Sequence, residues 1–508
     1  MLQAKGLTIT HRRDGRVLIS DFNFTLNPGD RAVIVGEEGD GKSTLLKALH
    51  NPALIADYAD CTGEIVRAGT RTGYLAQETP AEEKPRAVYD LFAQGPLFEA
   101  PPALAAQTAR TLALPADVFY SPRPLGGFSG GEQVKLRLAR VLLEQPDALL
   151  LDEPSNDLDL AMLEELETFL NTCGLPVLFV SHDETLIERT ANAVVHLEQV
   201  RRKTVPRCTV ARLPYRQYVE ERQAAFAHQT QVARKEQGDY ARQMERYRQI
   251  YARVEHDQNA VSRGDPAGGR LLKKKMHAVQ SMGRRLEREH ESAAQLPDTE
   301  DSILVRFPED IAVPRGKTVL ELSLGVLRAG NRELARNLRL HVEGPEKLCI
   351  TGSNGAGKST LLREIAAVLL PRTDIRAAYL PQDYAELLGA GGTPVEFLSQ
   401  KGDKEELTRI RTFLGSMKYT PGEMEHPVEG LSGGQRAKLC FLRMIFAGCN
   451  VLLLDEPTRN FSPLSGPVVR DVLRNFGGAV IAVSHDRKFL AEVCTRELRL
   501  TPKGLIPA

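Results

Sequence analysis

A chain of 508 residues exceeds what one hydrophobic core spans, so two or three domains are expected, and 42% hydrophobic with 26% charged residues excludes global disorder. The formal net charge is zero, yet residues 201–291 hold 21 Lys/Arg against 11 Asp/Glu, so positive charge is concentrated in one stretch. Seven cysteines without CxxC spacing argue against a disulfide framework or zinc site and fit a reducing, cytoplasmic setting, and no stretch nears the ~20 apolar residues of a membrane span.

In chain order, the first signal is an apolar run at 32–35 leading into GEEGDGKST at 36–44. A buried strand, then GxxxxGK[ST], then a helix makes a phosphate cradle. The glycines let backbone N–H groups converge on a phosphate at the positive end of the helix, and the lysine reaches the outer phosphates. Gly36, Gly39, Gly41, Lys42, Ser43 and Thr44 are therefore assigned to nucleotide, with Ser43 also a Mg2+ ligand. Glu37, Glu38 and Asp40 would oppose phosphate if they faced inward, so they are expected to point to solvent. Gln77 in GYLAQ, weak by spelling alone, is assigned to the metal and the reaction.

FSGGEQ at 128–133 opens a basic amphipathic helix whose free N–H groups seek an anion, which singles out Ser129, Gly130 and Gly131. In ALLLDEP, an apolar strand ends in two carboxylates. Such pairs are common on surfaces, but at this distance from a phosphate loop Asp152 reads as a water-mediated Mg2+ ligand and Glu153 as the group that polarises the attacking water. His182, closing the strand at 177–180, is assigned to a γ-phosphate contact rather than an ordinary strand end.

Residues 216–256 are rich in Gln, Arg, Glu and Ala, contain no Pro and one Gly, and predict a helix of about 60 Å. Gly264, Pro266, Gly268 and Gly269 punctuate 257–269, and 270–291 resumes as a second helix, which gives a hairpin. Tyr240, Met244, Tyr247, Tyr251 and Val254 step by four and three, as do Val279, Met282 and Leu286 after Leu272. That spacing reads the tyrosines as hairpin core rather than base-stacking platforms.

The phosphate motifs then recur in the same order: GSNGAGKST at 352–360, Gln382 in YLPQ, LSGGQR at 431–436, LLLDEP at 452–457 and His485 in AVSHD. Ser129 and Ser432, Asp152 and Asp455, and His182 and His485 each lie 303 residues apart, a register that independent matches would not keep. The second set assigns Gly352, Gly355, Gly357, Lys358, Ser359, Thr360, Ser432, Gly433 and Gly434 to nucleotide. It assigns Gln382, Glu456 and His485 to the reaction, and Ser359, Gln382 and Asp455 to Mg2+. Domain boundaries are expected at 1–200, 201–300 and 301–508.

With this motif order in both halves, the sequence resembles the ATP-binding-cassette superfamily, whose signature is the SGG turn. The resemblance implies an α/β fold: two P-loop cassettes, each a mixed, mostly parallel sheet with a helical subdomain, joined by an α-helical hairpin linker. It implies an ATPase using ATP and Mg2+, with cassettes packed head to tail so that each ATP lies between one phosphate loop and the opposite signature. One site would join Lys42, Ser43, Gln77, Asp152, Glu153 and His182 to Ser432, Gly433 and Gly434. The other would join Lys358, Ser359, Gln382, Asp455, Glu456 and His485 to Ser129, Gly130 and Gly131.

Two departures stand out. No aromatic fit to stack on adenine lies near 12–16 or 327–331. After DEP the first copy reads SNDLD with Asp159, whereas the second reads TRNFSPLS and lacks that aspartate. In the superfamily this loop crosses to the opposite site, so unequal hydrolysis at the two sites is expected.

Two cassettes, no membrane segment and a basic helical linker together resemble, over the whole chain, the ABC-F family of translation factors and ribosome-protection proteins. That resemblance implies a cytoplasmic protein, monomeric with intramolecular cassette pairing, whose partner is the ribosome through large-subunit RNA and tRNA. Arg263, Arg270, Lys273, Lys274, Lys275, Arg284, Arg285 and Arg288 would bind phosphates there without reading sequence; a solvated helix face is the plainer alternative. Spacings of 52 residues from Gln77 to Ser129 and 50 from Gln382 to Ser432 leave no room for an arm insertion, which favours antibiotic-resistance-like or uncharacterised bacterial branches. A transporter's ATPase subunit would not need the linker, and a coiled-coil DNA-repair ATPase would need far longer helices inside a cassette. Charge alone does not separate a duplex-DNA-binding relative.

Overall fold

The computed structural model describes residues 1–93, 100–115, 117–200, 205–260, 266–291, 307, 311–389, 391–417 and 419–508. It divides into two units, one made of 1–216 with 300–508 and the other of 217–299.

In the first unit the short apolar runs become sheet cores. The first cassette has β1 (Leu2–His11), β2 (Val17–Leu26), β3 (Arg31–Val35), β4 (Ala59–Val66), β5 (Thr72–Leu75), β6 (Ala148–Asp152), β7 (Val177–Val180), β8 (Ala193–Gln199) and β9 (Val205–Ala211). The second has β10 (Thr318–Ala329), β11 (Arg332–Glu343), β12 (Lys347–Thr351), β13 (Ala377–Leu380), β14 (Val451–Asp455), β15 (Ala479–Val483), β16 (Arg496–Thr501) and β17 (Gly504–Pro507). The central sheets have the same order, β5-β6-β7-β3-β8-β9 and β13-β14-β15-β12-β16-β17, parallel except for the last pair of each. β6, β7, β14 and β15 are buried along their whole length, which is why they read as continuous apolar runs rather than alternating ones.

Because β3, β6 and β7 are neighbours, the phosphate loop, the Asp-Glu pair and the histidine all leave the same edge of the sheet; β12, β14 and β15 repeat this. Ligands of open parallel sheets bind at that edge. The first cassette's sheet runs on through β9, paired antiparallel with β8, so it extends past residue 200. Smaller antiparallel layers, β2-β1-β4 and β10-β11, cover the cassettes. Among the described residues no helix is long and apolar enough to cross a membrane.

The second unit holds most of the helix Tyr215–Ala260 and the helix Pro266–Glu291. Both run further into 257–269 than the sequence suggests, and Pro266 stands at the first helical position, where its missing N–H costs nothing. Val254, Met276 and Val279 form the seam with Tyr247 and Tyr251 packed against it, so these two tyrosines are core, as their spacing implies. Gly283 lies against the other helix: a Cβ there would stand 2.7 Å from the Tyr247 ring. Gly283→Val should therefore destabilise the hairpin by about 1–3 kcal/mol. Trypsin should cut the full chain faster within 217–291 while the melting of the cassettes stays put; unchanged cleavage would contradict the packing.

Candidate functional site

Each phosphate loop begins where its central strand ends. Gly36 has φ 156°, and a Cβ there would lie 2.4 Å from the Leu197 carbonyl oxygen of β8; the twin, Gly352, would meet Leu500 of β16 at 2.8 Å. Only glycine lets the chain turn against the neighbouring strand. Lys42, nearly buried, donates from Nζ to the carbonyls of Gly36 and Glu37, both at 2.9 Å. Lys358 does the same to Gly352 at 2.9 Å and Ser353 at 3.1 Å. Each ammonium thus lies over its own loop, where phosphate would meet it.

Ser43 Oγ donates to Asp152 Oδ1 at 2.9 Å, and Tyr74 donates to Oδ2 at 3.3 Å. Burial pushes the Asp152 carboxyl up to about 6, against the Ser43 hydrogen bond. Burial likewise raises Asp455, opposed first by its hydrogen bond with Ser359, and its buried Oδ1 has no hydrogen-bond partner among the described residues. A hydroxyl beside a desolvated carboxylate is an oxygen pair that suits a hard cation, so each pair fits Mg2+.

Glu153 and Glu456, the residues after β6 and β14, both have φ 50°, a left-handed conformation that costs a non-glycine residue about 1 kcal/mol or more. Hydrogen bonds from Glu153 N to Val180 O at 3.1 Å and from Glu456 N to Val483 O at 2.9 Å hold them there. This shared strain aims both carboxylates into their sites.

Their surroundings then differ. His182 Nδ1 donates to the Phe461 carbonyl at 2.8 Å, and Nε2 lies 3.0 Å from Glu153 Oε1. A carbonyl only accepts, so Nδ1 carries a proton and Nε2 is the ring atom that faces the carboxylate. Burial raises Glu153, but the charge and hydrogen bond of His182 outweigh it and hold the carboxyl below its usual range. At the second site His485 Nε2 is 3.9 Å from Glu456, and its buried Nδ1 has no partner among the described residues. Burial, then Lys358, lowers His485 to about 4, and burial raises Glu456 to about 7. The first glutamate is held below its usual range beside an imidazole at 3.0 Å; the second is a carboxyl of raised proton affinity.

The signature turns are built by capping boxes: Ser129 with Glu132, and Ser432 with Gln435, begin the helices Gly130–Leu143 and Gly433–Phe446. The cassettes pair head to tail. A cavity of about 580 Å3 is lined by Gly355, Gly357, Lys358, Ser359, Thr360, Gln382, Asp455, Glu456 and His485 of the second cassette, together with Gly130, Asp157 and His182 of the first. Ser129 and Gly131 do not reach its wall, since Ser129 caps its helix and Gly131 packs against Met162. A smaller cavity of about 320 Å3 is lined by Gly39, Gly41, Lys42, Ser43, Thr44, Gln77, Glu153 and His182, with Arg459 and Asn460 from the second cassette. Ser432 and Gly434 line an adjoining cleft with Glu37 and Glu38.

Ion pairs beside the sites tie the cassettes together. Arg470 reaches Glu184 at 2.8 Å, Arg487 reaches Glu167 at 2.9 Å, and Lys488 reaches Glu184 at 2.8 Å and Glu188 at 2.6 Å.

One expectation is overturned in part. Glu37 and Asp40 turn inward, where Glu37 pairs with Lys438 at 3.1 Å and Asp40 accepts from Glu37 N at 2.8 Å, while Glu38 is exposed as expected yet its Oε2 also accepts from Gly434 N at 2.5 Å. Amides and a lysine take up part of their charge. Sequence reasoning also missed Arg459, which lines both cavities and pairs with Asp157 at 2.9 Å; its position inside the divergent TRNFS loop was the available signal. Arg332 lines the larger cavity just beyond residues 327–331, and a guanidinium can stack on a base. Among the linker cations, Arg270, Lys273, Lys274, Lys275, Arg284, Arg285 and Arg288 are exposed, and Arg263 lies outside the described residues.

Residues 19–156 and 335–459, together more than half of the chain, match the family model described as ABC transporter. Over 515 residues the chain is 28% identical to the ribosome protection protein VmlR of Bacillus subtilis (strain 168), covering 98% of this chain and 86% of that one. It is 29% identical over 532 residues to ATP-binding cassette sub-family F member 3 of Rattus norvegicus, covering 97% and 70%. The solved archaeal ribosome recycling factor aABCE1, in complex with the ribosomal stalk protein aP1, shares the fold at a TM-score of 0.60 and 16% identity, over 99% of this chain and 90% of that one.

The raised Glu456 carboxyl sets a pH dependence. Protonated, it accepts no proton, so turnover that uses it as base should rise as pH increases through about 7 and fall below it. The pH profile of ATP turnover in Glu153→Gln checks this; a profile flat between pH 6 and 8, a range of roughly one unit either side of that value, would contradict it.

Proposed function

Because this chain belongs to the ABC transporter family and is a P-loop ATPase with two ATP-binding cassettes, we propose that it is an ATP-gated clamp of the F type that works on the ribosome. Nucleotide draws the cassettes together, hydrolysis at the second site reopens them, and the basic hairpin linker engages large-subunit RNA and tRNA. Modulation of translation, or protection of ribosomes from an antibiotic, is the outcome. The observation that carries this reading is the sorting of the hairpin: Tyr247, Tyr251, Val254, Met276 and Val279 fill the seam, while Arg270, Lys273, Lys274, Lys275, Arg284, Arg285 and Arg288 are all exposed. A surface that binds phosphate without reading sequence is built this way. The F-type relatives, one of them named a ribosome protection protein, support the choice of partner.

In the chemistry we assign, Lys358, the loop amides and Gly130 bind and orient the triphosphate, Ser359, Gln382 and Asp455 hold Mg2+, and Glu456 takes the proton of the attacking water. The metal supplies charge neutralisation of the phosphates. Lys42, Ser43, Gln77, Asp152, Glu153 and His182 are the corresponding residues of the first site, where the Glu153 carboxyl, held below its usual range beside His182, is the weaker base.

Single-turnover hydrolysis should therefore fall roughly 100-fold or more in Glu456→Gln and far less in Glu153→Gln; equal losses would refute the assignment. The doubly substituted protein should pellet with ribosomes in the presence of ATP. Lys273→Glu, Lys274→Glu and Lys275→Glu together should weaken that binding at least about tenfold. Pelleting that ignores nucleotide, or equal binding to duplex DNA, would overturn the ribosome reading.

A further inference from the structure

At the first site the protein's own carboxylates stand where a terminal phosphate would meet the opposite signature. Glu38 Oε2 accepts the Gly434 N–H at 2.5 Å, and a Cβ on Gly433 would lie only 2.9 Å from that same oxygen. The carboxylate is thus pressed into the glycine turn that opens the helix Gly433–Phe446. Beside it, Glu37 Oε1 pairs with the nearly buried Lys438 at 3.1 Å. The second site has a different arrangement. Ser353 and Asn354 occupy the positions of Glu37 and Glu38, Asn354 donates to the Asp157 carbonyl, and Lys135, the counterpart of Lys438, pairs with Glu165 of its own cassette. Gly130 there lines the large cavity.

Helix N-termini receive carboxylates and phosphates by the same chemistry, through orphan N–H groups and the positive end of the dipole. A γ-phosphate at the first site would have to evict Glu38, a residue that is exposed on its outer side, or share the glycine turn with a like charge. Beneath Glu38 the rest of the cradle is open: Gly41, Lys42, Ser43 and Thr44 line the 320 Å3 cavity. We propose that the first site is a nucleoside-diphosphate site, with Glu38 as its specificity residue: the carboxylate is a fixed third anion that completes the signature contact a triphosphate makes elsewhere. This rests on the assignment of the nucleotide sites and is independent of the ribosome reading.

The test removes the second cradle's lysine with Lys358→Ala and titrates the protein, with Mg2+, against fluorescent mant-ADP and a non-hydrolysable mant-ATP analogue. The diphosphate is expected to bind roughly tenfold or more tightly than the triphosphate, the scale of one charge-assisted hydrogen bond. Adding Glu38→Asn, which copies the second site, should shift the ratio about tenfold or more toward the triphosphate. Glu38→Gln, which keeps the shape and removes the charge, should shift it the same way and guards against a folding artefact. A triphosphate preference with Glu38 intact, absence of nucleotide binding in Lys358→Ala, or a ratio unmoved by both Glu38 substitutions would each overturn the proposal. A chain that ignored ribosomes altogether would leave these titrations as they are.

Discussion

The structure depends on one unmet need, that of the N–H groups at the start of the two signature helices. Neither cassette satisfies its own. The capping boxes of Ser129 with Glu132 and Ser432 with Gln435 use part of each first turn; beyond them Gly130 faces the larger cavity and the Gly434 N–H is taken by Glu38 of the other cassette. The head-to-tail pairing brings the opposite phosphate loop to that point. The shared strand order, the matched spacing of motifs and the strained glutamates all serve to bring groups from both halves to one seam.

The two seams satisfy that need by different means. In one, Glu38 supplies the anion, Glu37 neutralises Lys438, and His182 bridges Glu153 to the backbone of Phe461. In the other, Gly130 faces a wide cavity, His485 Nδ1 has no partner among the described residues, and Glu456 keeps a carboxyl of raised affinity for protons. Filled contacts favour holding; unfilled ones favour binding and chemistry. A duplicated fold has become a machine with two unlike halves through changes in its loops, with both sheets intact.

Much of this was legible in the sequence, for a local reason. A phosphate loop, a strand-end Asp-Glu pair and a capping box are each specified by residues within one turn or strand, so the strands before Gly36, Asp152 and His182 and their second copies stand where the motifs imply. The hairpin seam at Tyr247, Tyr251 and Val254 was legible because helical periodicity is also local. What escaped was nonlocal. Glu38 and Gly434 lie 396 residues apart, and nothing near Glu38 says that an amide of the other half awaits it. The expectation of solvent followed from electrostatic repulsion by a ligand, whereas the governing fact is attraction by a helix end. β9 was missed for a related reason: its alternating half-exposed pattern belongs to a sheet edge rather than a buried strand. Arg332 and Arg459 gain meaning only when β11 and the divergent loop are seen to face a cavity.

The ion pairs around Arg470 and Lys488 bear on how the protein responds to its solvent. Arg470 and Glu184 are almost wholly withdrawn from water, and Lys488 and Arg487 are largely so. Dissolved salt screens exposed charges over about 8 Å at physiological ionic strength and reaches buried pairs far less. The linker's cations stand in the open, so a rising electrolyte concentration weakens their hold on a polyanion first. The seam between the halves keeps its grip, and brine would release an intact molecule with its two lobes still joined.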